Sequence, residues 1–224
     1  MRTLLVLFFA LSMTGLTAQG IVDREVGEFR EIKVYDLIEV NLIKSDENRI
    51  LIKGRNTQDI NFANKDGILK LRMPLEKKFQ GEDTFIEVHY TDLRIIDANE
   101  GARIIGNEQI VQDRIELRAQ EGAQIEIGLN VQDAKIRAVT GGIIMASGIA
   151  TNQVITLNTG GIFEGRDLKT DYTGIRVSTG GEAELFASKE VDIQIRAGGD
   201  VRVYGDPERV HKDTMMGGRI YFLN

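Results

Sequence analysis

The sequence predicts an all-β fold, a β-solenoid built from one chain winding in short stacked strands, and three observations carry that reading. A glycine recurs from residue 94 onward at Gly101, Gly122, Gly141, Gly160, Gly180 and Gly198, with spacings of 21, 19, 19, 20 and 18 residues. A period near 20 that varies by a residue or two is that of one solenoid coil, the loops absorbing the difference. Apolar residues stand at fixed offsets from each glycine, and the residues between them alternate with period two, which fits half-buried strands and not helices.

Residues 1–18 carry Arg2, the apolar run Leu4 to Phe9 and a small-residue end at Leu16-Thr17-Ala18. This reads as a secretory signal peptide cleaved after Ala18, too polar and too short for a span of roughly 20 apolar residues. The expected mature chain, 19–224, has no transmembrane segment and reads as a single domain. With 34 acidic against 28 basic side chains and a net charge of −6, the full chain lacks the basic excess that nucleic-acid binding requires. Cysteine is absent, which excludes disulfides, thiolate metal sites and a cysteine nucleophile. The 24 glycines and two prolines favour many short strands joined by glycine turns.

From 27 to 93 the chain reads as irregular strands around Phe29–Val34, Ile38–Leu42, Ile50–Ile52, Ile68–Leu71 and Ile86–Tyr90. Ser45-Asp46-Glu47-Asn48 and Asn64-Lys65-Asp66-Gly67 read as hairpin connections. The section is expected to cover one open end of the stack, where unpaired strand edges would invite aggregation.

Regular coils are expected over about 94–205. Five residues before each glycine stand Ile96, Leu117, Ile136, Ile155, Ile175 and Ile193, and three after it Ile104, Ile125, Ile144, Phe163, Ala183 and Val201. Ala98, Ala119, Ala138, Leu157, Val177 and Ile195 stand three before, and all these sets point inward. The position four before carries Asp97, Arg118, Arg137, Thr156, Arg176 and Gln194, expected to face water. The corners, Thr140-Gly141-Gly142 being typical, need glycine for positive φ and close approach. No helix pattern or Lys-Ser/Thr pair follows them, which argues against a phosphate cradle. Tyr204-Gly205-Asp206-Pro207 ends the pattern, and Gly217–Leu223 returns to strand character, read as closing the far end with Met215 and Met216 as core filler.

Phe29-Arg30-Glu31-Ile32-Lys33-Val34, Ile38–Ile43, Asp66–Leu71, the Thr-Gly-Gly corners and Tyr204-Gly205-Asp206-Pro207 with Gly217-Gly218 together resemble the head GIN domain family. Its members, labelled auto-transporter adhesins, occur in many Gram-negative Bacteroidetes, and the resemblance covers about 27–224. It implies a right-handed single-stranded β-helix without an established catalytic site. For location it implies the periplasm or cell surface of a Gram-negative bacterium.

The inventory for chemistry is thin. His89 and His211 stand 122 positions apart, and no zinc-protease, serine-hydrolase or calcium-repeat motif appears, so neither a metal nor a cofactor is expected. Three function classes remain. The first is a binding or adhesion module for a glycan or envelope protein, with Arg118, Arg137 and Arg176 before the corner and Glu126, Glu164 and Glu184 after it as candidate contacts. The second is a polysaccharide-active hydrolase or lyase using Glu164, Glu184, Glu182 and Asp200. Coils about 4.8 Å apart would bring Glu164 and Glu184 near the roughly 5 Å separation of a retaining glycosidase. The third is a purely structural envelope protein.

Overall fold

The computed structural model describes residues 21–54 and 57–223, so the expected signal peptide over 1–18 lies outside the described residues. The chain is a β-solenoid of about seven turns. Its N-terminal strands are β1 (Val22–Glu25), β2 (Glu31–Val34), β3 (Glu39–Lys44), β4 (Arg49–Gly54), β5 (Asn61–Lys65), β6 (Ile68–Arg72) and β7 (Thr84–Tyr90). The coils follow as β8 (Ile95–Ala98), β9 (Arg103–Gly106), β10 (Ile110–Gln120), β11 (Gln124–Val139), β12 (Ile143–Asn158) and β13 (Ile162–Gly165). β14 (Leu168–Ser178), β15 (Gly181–Phe186), β16 (Glu190–Arg196), β17 (Gly199–Tyr204), β18 (Arg209–Met215) and β19 (Arg219–Leu223) complete the stack.

The inward columns read from the sequence are columns in space. Ile96, Leu117, Ile136, Ile155, Ile175 and Ile193 are successive partners in one parallel ladder, the first face. Ile104, Ile125, Ile144, Phe163, Ala183 and Val201 stack the same way in a second face beyond the corner. All twelve are buried. One residue of the water-facing set departs from expectation: Asp97 is 5 % exposed, because β2 lies beside it and brings Lys33 Nζ within 3.3 Å of its carboxylate.

Each corner is a β-turn of type I′, in which both central residues take positive φ. Thr159 and Gly160 have φ of 49° and 70°, and the Gly161 N–H donates to the Asn158 carbonyl at 3.1 Å. The corners also bond to each other, the Gly141 N–H reaching the Thr159 carbonyl at 3.1 Å, so the ladder runs round the bend unbroken. The paired glycines serve different ends. A Cβ on Gly160 would meet nothing within 4 Å, so its requirement is dihedral, whereas one on Gly161 would stand 2.0 Å from the Ala138 carbonyl oxygen of the preceding coil.

The N-terminal section is more regular than the sequence suggested, and its order is not sequential. β2 lies between β6 and β8, and β3 between β7 and β9, all parallel, so 31–44 and 68–90 form two further coils. β4 pairs antiparallel with β7, β1 with β4 and β5 with β6, covering that end of the stack. The hairpin expected at Ser45–Asn48 is therefore incorrect: β7 lies between β3 and β4, because the inner faces of β3 and β7 stack as one column. The second hairpin forms, with Asp66 and Gly67 at φ of 54° and 75° between paired Lys65 and Ile68.

The corner of the 31–44 coil is Asp36-Leu37, both at positive φ. Asp36 is fully buried; its Oδ2 accepts the Met73 N–H at 3.1 Å, while its Oδ1 and Glu100 Oε2 are buried and find no donor among the described residues. A proton on Asp36, hydrogen-bonded to Glu100, satisfies both. Burial pushes the Asp36 carboxyl above its ordinary range; the Met73 N–H opposes this and the neighbouring Glu100 reinforces it. The stability this group contributes is thus fully present below the unfolded carboxyl range, about pH 4, and is lost as pH rises through the elevated folded value. Asp36→Asn carries its donor at every pH. It should melt higher than the parent at pH 7 and gain less on acidification, and coincident melting profiles from pH 4 to 8 would refute the shared proton.

The C-terminal strands form a further coil rather than a lid. β18 pairs in parallel with β16, β19 with β17, and Met216-Gly217 repeat the corner at φ of 57° and 86°. Met215 and Met216 are exposed, not core filler, since Met215 continues the outward row of Arg196 and Met216 sits on the turn itself. Lys212 takes the inward position below Ile193. A charge there discourages edge-to-edge sheet pairing.

Candidate functional site

The first face presents three outward columns along the solenoid axis. One runs Arg114, Asp133, Asn152, Tyr172, Glu190, Arg209; the next Glu116, Lys135, Val154, Gly174, Asp192, His211; the third Asp97, Arg118, Arg137, Thr156, Arg176, Gln194, Asp213. Strand alternation fixes this display, since Ile136, Ile155 and Ile175 between the second and third columns point inward.

The three arginines predicted from the sequence fall in one column but in different states. Arg118 Nε donates to Glu116 at 2.9 Å, and its guanidinium also lies 3.7 Å from Glu31 of the out-of-order N-terminal coil. Burial alone would raise the Glu116 carboxyl, but hydrogen bonds from Arg118 and Lys135 outweigh it and hold it below its ordinary range. Arg118 is thus committed to an internal network. Arg176 bonds only the Gln194 amide oxygen, at 3.2 and 3.4 Å, and Arg137 meets no ion-pair partner among the described residues. Two coils separate Arg137 from Arg176, about 10 Å at 4.8 Å per coil, with the Thr156 hydroxyl between them.

Along the first two columns lies a groove of about 930 Å³, with Ile115, Ala134 and Val154 among its apolar lining and Gln112, Gln132 and Asn152 among its polar lining. Its charges are largely self-compensated, Arg114 pairing with Asp133 at 3.0 Å and Lys135 with Glu116 at 3.1 Å. None of its lining residues was singled out from the sequence, because the groove exists only where coils of the first face meet the turn at Asp92–Arg94.

The predicted acidic residues lie on the second face. Glu164 and Glu184 are ladder partners on adjacent coils, as their spacing required, while Met145 separates Glu126 from Glu164. Arg103 lies 3.4 Å from Glu126, and Arg202 3.8 Å from Glu184. Glu182 and Asp200 are also partners, and Arg219 binds Asp200, its Nε at 2.8 Å, holding that carboxyl below its ordinary range. A general acid needs the opposite shift. His89 lies on β7 and His211 on β18, and no cluster of three or more His, Asp or Glu suited to a metal occurs among the described residues.

Among solved structures the chain is similar to a putative adhesin from Bacteroides fragilis, at 18 % identity and a TM-score of 0.85, covering 92 % of this chain and 98 % of that one. It is also similar to a putative adhesin from Parabacteroides merdae (15 % identity, TM-score 0.71, 94 % and 98 % covered). A putative lipid binding protein from Parabacteroides distasonis matches at 15 % identity and a TM-score of 0.70, again over 94 % and 98 %. Identities this low show the fold alone. No curated protein matches the chain. The family described as "Putative auto-transporter adhesin, head GIN domain" matches residues 28–207, which span the two N-terminal coils, seven of the corners and all three arginines of the third column, and the chain therefore belongs to that family.

Proposed function

We propose that this domain is a non-catalytic binding module of the cell exterior that captures an acidic ligand, a glycan or an envelope protein, on its first face. One observation carries the reading: Arg137 and Arg176 flank Thr156 with no carboxylate partner among the described residues, whereas most neighbouring charges are paired. An exposed guanidinium left without a carboxylate retains its capacity for bidentate recognition of one. Adhesin-family membership supports a place outside the cell or on its surface, as does the signal-like segment at 1–18.

The test uses purified chain with polygalacturonate, chondroitin sulfate and poly-glutamate as probes. Binding to at least one is expected, weakened by rising salt. Arg137→Ala or Arg176→Ala should each lower affinity several-fold, and the double variant about 100-fold. Full affinity in the double variant would overturn the reading. Glu164→Gln and Glu184→Gln should change nothing; release of reducing ends by the parent, lost in either variant, would establish an enzyme instead.

A further inference from the structure

Gly174 is a glycine without a structural reason. It sits inside β14 with an ordinary negative-φ backbone, and a Cβ added there would meet nothing within 4 Å. Glycine weakens a strand interior, and where neither dihedral nor packing requires it, it marks a place where something approaches the backbone. Its outward position is bounded on all four sides. Along the strand stand Tyr172 and Arg176; across the ladder stand Val154 and Asp192. Tyr172 is 38 % and Val154 55 % exposed, and Asp192 pairs with no cation among the described residues. The Lys189 ammonium lies over the Tyr172 ring, 5.6 Å from its centroid, and is itself held 2.8 Å from Asp171, so the ring is braced.

The result is a shallow dip with an aromatic ring at one end, a guanidinium at the other, an exposed isopropyl group on one side and an unpaired carboxylate on the other. We infer that this dip is the seat of a pyranose ring in an acidic glycan: the sugar lies over Gly174 against Tyr172 and Val154, Asp192 accepts from its hydroxyls, and its acidic group faces Arg176. A pyranose chair, with an apolar C–H face and hydroxyls at its rim, suits one aromatic contact and one acceptor together, which an extended acidic peptide does not need. The acidic group is a carboxylate or a sulfate, either of which a guanidinium binds. This rests on the binding reading above, since it shares Arg176, but it names the ligand class and adds Tyr172, Gly174, Val154 and Asp192.

Gly174→Val tests it without endangering the fold, because valine is the better strand former and has room. The variant should melt at or up to a few degrees above the parent, while its affinity for the glycan probe falls at least tenfold. Tyr172→Ala should lose a similar factor and Tyr172→Phe little. Polygalacturonate and chondroitin sulfate, measured separately, distinguish carboxylate from sulfate, and binding of either supports the dip. Glycan affinity unchanged in Gly174→Val, or poly-glutamate binding as tightly as both glycans, would overturn the inference while leaving the arginine reading intact. That reading fails on its own if the Arg137→Ala/Arg176→Ala variant still binds.

Discussion

Gly161→Ala is expected to destabilise the domain by about 3 kcal/mol or more, while Gly160→Ala, one residue earlier on the same turn, costs about 1 kcal/mol. The new methyl at 161 would lie 2.0 Å from the Ala138 carbonyl oxygen. That oxygen belongs to the backbone of the preceding coil, so relief requires the coils to separate, and the ladder between 142 and 162 would lengthen with them. At 160 there is open space, and only the positive φ opposes a side chain. The protein supplies its own control, since Leu37 occupies the equivalent place in the 31–44 coil at φ of 62°. Urea unfolding of the two variants decides the matter; equal midpoints would mean that coil contact is not what the second glycine serves.

Ile155→Ala should cost about 2 to 5 kcal/mol, whereas Arg137→Ala should change stability by less than about 1 kcal/mol. Ile155 is 1 % exposed and lies between Ile136 and Ile175 in a column without gaps. Truncation removes contacts with both coils, and a stack whose neighbours are fixed by ladder hydrogen bonds cannot collapse into the cavity. Arg137 projects into water and forms no ion pair among the described residues. Its loss should appear in ligand affinity and not in the denaturation midpoint. A large shift for Arg137→Ala would place that side chain in the structural framework and remove it from the binding face.

What the sequence by itself determined is the part governed by local repetition. Period, inward columns, water-facing columns and the glycine at each bend recur every 18 to 21 residues, because stacked coils must match position by position, and that demand is visible in one dimension. It also placed Glu164 beside Glu184 and Arg137 two coils from Arg176. The tertiary structure decided whatever depends on which strands become neighbours. Nothing in Ser45–Asn48 shows that β7 will lie between β3 and β4, since parallel pairing is chosen by inner-face packing between distant segments. The same holds for the last coil, whose Lys212 and Thr214 at inward positions hid a repeat that backbone pairing and the Met216-Gly217 corner maintain. Charge state followed from those neighbours. Arg118 is occupied because Glu116 stands two residues before it, where Lys135 and Gly174 precede Arg137 and Arg176, and because Glu31 arrives from an out-of-order coil; Arg137 and Arg176 have no carboxylate partner among the described residues. One residue type in one column thus divides into framework and reading surface, partly through a local carboxylate written in the sequence and partly because the chain leaves its sequential order at one end of the stack.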